Sequence, residues 1–228
     1  MISEVSERFG LVPNFFRSAA AAPGLIEQMW RFARAAYVDN PLPSLFKERL
    51  FVHLSRFCKV RYCIVRHVGF LIGEGNPAGD PAAVPESLAE ALALLRRPLP
   101  NAAALDLALR RLEAHAGPPE IPAPATPPEA DLFDALAIIF LQPFGSTRAV
   151  KAVRRVAGDA DAESLVAFLA FVRTAHFWTE THPEIVFEPD MVVIMQRHKE
   201  LSRLLLDTAD ARRGMAGAQL LNTPATRH

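Results

Sequence analysis

Apolar residues recur along this chain at intervals of three and four, the period of a helix with one buried stripe, and no run alternates as a strand would. Residues 24–38 carry Leu25, Met29, Phe32 and Ala36 at that spacing, which predicts a helix with those side chains inward. Trp30 and Tyr37 are expected to pack rather than to bind a ligand. Residues 39–43, DNPLP, form a turn, with Ser44 as the expected N-cap of the next helix and Glu48 one turn in. Residues 44–73 are helix-compatible throughout, and Gly73, Gly75 and Pro77 end that run. Two short amphipathic helices follow at 86–97 and 102–115. An apolar helix is expected over 131–143 with Asp131 in its first turn. A basic helix covers 146–158, its Arg148, Lys151, Arg154 and Arg155 reading as a solvated face. Residues 161–182 are apolar nearly all round and belong at the centre of the core, with Pro183 ending the helix. A last helix runs from 189 to about 206, and the tail from 208 is expected to be disordered. The pattern predicts one all-α domain over residues 1–228.

Composition adds a second kind of segment. Eleven of the nineteen prolines fall between Pro77 and Pro128, so 76–130 reads as a connecting region. Within it 117–130 favours extended polyproline II structure, either as an ordered lid over the surface or as a mobile loop. The charges balance at 25 basic against 25 acidic, which argues against a nucleic-acid binder. Two cysteines make no disulfide framework and suit a reducing cytosol. The N-terminal residues lack the layout of a signal peptide, and no apolar run reaches membrane-spanning length. A soluble cytoplasmic protein without membrane partners is expected.

The chemistry concentrates in residues 48–67, ERLFVHLSRFCKVRYCIVRH, which hold Glu48, His53, Cys58, Cys63 and His67. Cys63 and His67 are four apart and share a helix face. A thiol beside an imidazole is the minimal pair for an activated sulfur nucleophile. The bland alternative is a small buried hydrophobe next to an unrelated histidine. An unbroken helix would hold Glu48 and Cys63 about 22 Å apart, so a site using both needs a break, and no Gly or Pro marks one. His53 is five residues after Glu48 and off its face. His176 and His182 are six apart and read as core or surface residues rather than zinc ligands. Gly73-x-Gly75 follows a helix, the wrong context for a dinucleotide fingerprint. No cofactor or metal is expected.

The order Glu48, then Tyr62-Cys63, then His67, with Leu54-Ser55-Arg56 before it, resembles the carboxymuconolactone decarboxylase and alkylhydroperoxidase (AhpD-like) family over roughly residues 10–75. The resemblance implies an all-α AhpD-like bundle and a break near residues 57–61. It implies Cys63 in a first helical turn, where the dipole lowers a thiol pKa. It further implies a Glu48–His67 proton relay to the sulfur, with Tyr62 positioning substrate. The departure is that redox-active members carry CxxC, and the position three before Cys63 is Val60. Cys58, five before, would point about 140° away on a continuous helix.

Two readings follow. One is a peroxidase-like thiol oxidoreductase with Cys63 as nucleophile and Glu48, His67 and Tyr62 in support. It would take a small peroxide or other small molecule and need an external thiol reductant. The other is a catalytically degenerate sensor or interaction protein. A second likeness, carried by RFCKVRYCIVRHVGFLIGEGNPAGD and AFVRTAHFWTETHPE, to a module ahead of PAS and histidine-kinase regions in bacterial sensors, points the same way. Either form is expected to be a homo-oligomer, most simply a dimer, because the apolar fraction is high and both terminal helices carry wide apolar faces. Cys63 is expected to react with a thiol probe faster than Cys58.

Overall fold

The computed structural model describes residues 1–18 and 22–206; the tail from 208 lies outside the described residues. Among them helices are the regular structure and there is no strand, so the chain is all-α. α1 (Ile2–Phe9) leads through a strap with a 3-10 turn (Asn14–Arg17) to α2 (Pro23–Ala33), which continues as a π turn (Arg34–Val38). α3 (Ser44–Cys58) and α4 (Arg61–Leu71) follow, then α5 (Leu88–Arg96), α6 (Ala102–Glu113), α7 (Pro127–Leu141), α8 (Thr147–Thr181), α9 (Pro189–Arg197) and α10 (Lys199–Leu206).

The break between α3 and α4 falls at Lys59, which takes the left-handed conformation at φ 60°. The amide of Lys59 bonds the Arg56 carbonyl at 3.3 Å, and the amide of Val60 reaches back to Ser55 at 3.1 Å. Val60 is buried behind the turn. That bond pair with an apolar residue after it is the Schellman ending, normally built on glycine. A lysine in this conformation costs about 1–2 kcal/mol, which is why the residues gave no sign of it. The turn folds α4 back along α3 and cures the distance problem.

Two apolar clusters hold the helices. The larger joins α1, the strap, α2, α3, α6, α7 and α8. The smaller joins α5, α9 and α10. α4 stands between them, with Tyr62, Cys63 and Phe70 in the first and Ile64, Val65, Val68 and Leu71 in the second. Every residue of α4 from Tyr62 to Leu71 is therefore buried.

Several expectations shift. On α2 the inward stripe is Ile26, Trp30 and Ala33, continued by Ala36 and Tyr37, while Leu25 and Phe32 face solvent. The pattern at 26, 30, 33 and 37 has the same helical period, and Trp30 wins the core by packing on Phe9 and Phe16. Ser44 does not cap α3; Pro43 holds that position, and the Ser44 hydroxyl donates to Asp80 at 2.9 Å. α7 starts at Pro127, not 131, because proline suits the first helical turn and Thr126 caps it through the Glu129 amide. The extended stretch therefore ends at 126. The helices expected at 146–158 and 161–182 are one element bent at Gly158, φ 82°. The last helix is interrupted at His198.

The proline-rich region is ordered and pinned. The buried Arg49 of α3 makes a two-pronged bond to Glu129, 2.8 Å on each arm, and a third to Glu86 at 2.9 Å. The Glu120 amide donates to Val156 at 2.8 Å.

Candidate functional site

A helix with no solvent face must satisfy its polar side chains internally, and on α4 these include His67 and Arg66. His67 Nδ1 meets Glu48 Oε2 at 2.6 Å. Glu48, 0 % exposed, also accepts the Tyr37 hydroxyl and, at 2.6 Å, the Ala78 amide. The turn that presents Ala78 needs Gly75: a Cβ there would lie 2.7 Å from the Phe9 carbonyl, at φ 95°. With Glu48 as acceptor, Nδ1 is the donor of this bond. The His67 ring stacks on Phe51 with centroids 3.5 Å apart. Burial first, then the Glu48 carboxylate, holds the Tyr37 hydroxyl protonated well beyond its ordinary range. The π turn carries Tyr37 to this spot, and such turns re-aim single side chains.

A cavity of about 40 Å³ lies beside this chain of groups, lined by Tyr37, Phe51, Tyr62, Cys63 and His67, with Phe15 and Phe16 of the strap among its other walls. At about 10–15 Å³ per water, it admits about three or four. The α4 residues lining it, 62, 63, 66, 67 and 70, form one helical stripe.

Cys63 stands in the first turn of α4, with its thiol buried. The residue is 2 % exposed, and the sulfur's hydrogen-bonding contact among the described residues is the Thr179 hydroxyl at 3.8 Å. That hydroxyl itself donates to the Ala175 carbonyl at 2.7 Å. Burial pushes the thiol up to about 12; Thr179 pulls the other way, and Glu180 and Glu188 add to the rise. A helix N-terminus contributes about 0.3–1 kcal/mol, under one pKa unit, whereas full burial moves a group by up to about 3–5 units. Desolvation wins, so the expected lowering by the dipole is corrected. Cys58 closes α3, half-buried; burial raises its thiol too, and neither cysteine is in a disulfide.

Tyr62 lines the cavity but serves as a tie. Its hydroxyl donates to Glu188 at 2.6 Å and accepts the Phe15 amide at 3.0 Å. Arg66, 2 % exposed, donates to Asp190 at 2.8 Å and to the Glu74 carbonyl at 2.6 Å, its guanidinium 4.5 Å above the Phe70 ring.

His53, His176 and His182 have other partners. His53 packs on Phe57 and Phe133, its Nε2 3.5 Å from Asp134, beyond a hydrogen bond. Burial and the Arg97 and Arg56 charges hold it down to about 3, the nearby carboxylate notwithstanding. Asp134 is itself pushed up to about 6 by burial, so the contact joins two groups that both resist charging. His176 meets the buried Ser55 hydroxyl at 2.8 Å, and His182 stacks on Trp178.

The structure thus brings Glu48 to His67, and sets Cys63, Tyr62 and His67 around one cavity. Sequence reasoning missed Tyr37, Arg66, Thr179 and Glu188. The 62, 63, 66, 67, 70 spacing could have supplied Arg66; nothing local signals Glu188, whose partners lie more than a hundred residues away. No family model, curated protein or solved structure matches the chain. Among the described residues no helix is long and apolar enough to cross a membrane.

Proposed function

We propose that this chain is a catalytically degenerate AhpD-like domain, acting as a sensor or interaction module that admits a small molecule beside the Glu48–His67 pair. The observation that carries this reading is the state of Cys63: a buried thiol set against the Thr179 hydroxyl and pushed up to about 12. Burial keeps such a group in its neutral form at neutral pH, and the thiolate is the form that attacks peroxide. The resolving position of CxxC is Val60, and Cys58 lies across the turn at the end of α3. The Tyr37–Glu48–His67 chain is intact and can take up or release a proton next to a bound molecule.

A second reading keeps Cys63 as the nucleophile of a one-cysteine peroxidase, its sulfenic acid reduced by an external thiol. Its support is that Cys63, Tyr62 and His67 share one cavity. Peroxide consumption with an added dithiol separates the two. Equal background rates for wild type and Cys63→Ser are expected; a rate lost in Cys63→Ser favours the peroxidase.

Self-association belongs to the same proposal. The terminal helices turn their apolar faces inward, Val5 and Phe9 from α1, Leu201 and Leu205 from α10. Exposed apolar side chains include Phe177 and Val166 of α8, Leu141 at the end of α7 and Phe144 just after it, and these supply the contact surface. The disulfide-free cysteines suit a reducing compartment.

A further inference from the structure

We propose that the strap, residues 11–18, is a gate over the Cys63 cavity, and that Glu188 is the latch holding it shut. The inference goes beyond both functional readings, since each needs a route into the cavity.

Pro13, Phe15 and Phe16 of the strap form part of the cavity wall. Few bonds keep them there. The Asn14 amide donates to Glu188 Oε1 at 2.7 Å, and the Asn14 side chain donates to the Val186 carbonyl at 3.0 Å. The Phe15 amide donates to the Tyr62 hydroxyl at 3.0 Å. Trp178 Nε1 donates to the Ser18 hydroxyl at 2.8 Å. Glu188 Oε1 receives both the strap amide and, at 2.6 Å, the Tyr62 hydroxyl that holds the second strap amide. Among the described residues, one carboxylate oxygen therefore governs two of these four ties.

The latch also leaves buried polar atoms unsatisfied. Among the described residues, Glu188 Oε2, Arg66 Nε and Asp190 Oδ1 are buried without a hydrogen-bond partner. Arg66 Nη1 bonds Asp190 and reaches Glu188 Oε2 only at 3.6 Å. Buried polar atoms without partners disfavour the state that buries them. Opening the strap would let water reach all three, so the closed form gains less from its bonds than their number suggests. The movement has a path outward. Glu188 stands at the N-cap position of α9, and α9 presses on α4 so closely that a Cβ on Gly69 would lie 2.5 Å from Met191 Sδ. Release of Glu188 frees the strap and the start of α9 together, which couples cavity access to the C-terminal helices.

The test reads the opening directly. Cys63 and Cys58 are labelled in the native protein with a small disulfide reagent, and each rate is followed by mass mapping. When closing outpaces labelling, the rate scales with the open population. Glu188→Ala is expected to speed Cys63 labelling at least tenfold and to leave Cys58 within twofold. Glu188→Gln, whose amide oxygen still accepts both bonds, is expected to stay near wild type. Should Glu188→Ala fail to fold, Tyr62→Phe, which removes the Phe15 tie with one oxygen atom, is expected to give at least a threefold rise at Cys63 alone. An unchanged Cys63 rate, or a rise shared equally by Cys58, overturns the latch. Neither outcome depends on peroxide consumption, so the gate and the functional reading fail independently.

Discussion

His67 Nδ1 lies 2.6 Å from Glu48 Oε2, nineteen residues away along the chain, because Lys59 turns α4 back onto α3. On one straight helix the pair would stand about 28 Å apart. Glu48 also accepts from Tyr37 and Ala78, so it is the hub of a buried network rather than half of a pair.

Replacing Glu48 by Ala is therefore expected to cost about 3–5 kcal/mol, the usual cost of removing one member of a buried ionic network. For a chain of this size that lowers the melting midpoint by roughly 10 °C. Tyr37→Phe, which deletes one donor, is expected to cost only about 1 kcal/mol. Thermal melts followed by circular dichroism compare them; equal losses would show that Glu48 is no hub.

Arg49 invites the same comparison at the proline-rich region. Arg49→Met leaves Glu86 and Glu129 buried without their counter-ion and is expected to cost about 3–5 kcal/mol. Arg148, equally well bonded to Glu113 and Asp106 but exposed, is expected to leave the midpoint unchanged on substitution by Ala. Urea denaturation of both variants decides whether burial or bond count matters.

The buried histidines predict acid lability. His53 and His176 are each held down to about 3, against 6.5 in the unfolded chain. Their contribution is present above pH 6.5 and is lost as pH falls from there toward 3. Asp134, pushed up from 3.8 to about 6, opposes them, because its stabilisation is present below 3.8 and lost as pH rises through 6. One net proton remains in the balance, so stability is expected to fall by at most about 1.4 kcal/mol per unit as pH drops from 6 to 4. Urea midpoints at pH 7, 6 and 5 check it, and a flat profile contradicts the assignment.

Light scattering at micromolar concentration is expected to show a dimer. Phe144 and Phe177, 105 % and 69 % exposed, are the largest uncovered apolar side chains. Changing both to Arg is expected to give a monomer. A monomeric wild type contradicts the proposal.

The recurrence of apolar residues at intervals of three and four, without alternating runs, made the all-α class legible, because burial on one face writes a period into the chain. The register Glu48, Cys63, His67 pointed to the right pair of helices. What stayed hidden has physical causes. The left-handed turn at Lys59 breaks no local rule visible in residue types, since its stability comes from two backbone bonds and a buried Val60. Leu25 and Ile26 begin equally periodic stripes, and only the packing of Trp30 on distant Phe9 chooses between them. The Cys63 pKa depends on how completely α8 and the strap cover it, which the position of a cysteine in a first helical turn does not convey.

Titration of the Cys63 thiol in a Cys58→Ser background, followed by thiolate absorbance and corrected against the double serine variant, is the most direct measurement. A thiol held neutral by burial predicts no ionisation step below about pH 10. A step with its midpoint below about pH 8 would mean that His67 and the helix dipole outweigh burial, and would restore Cys63 as a nucleophile.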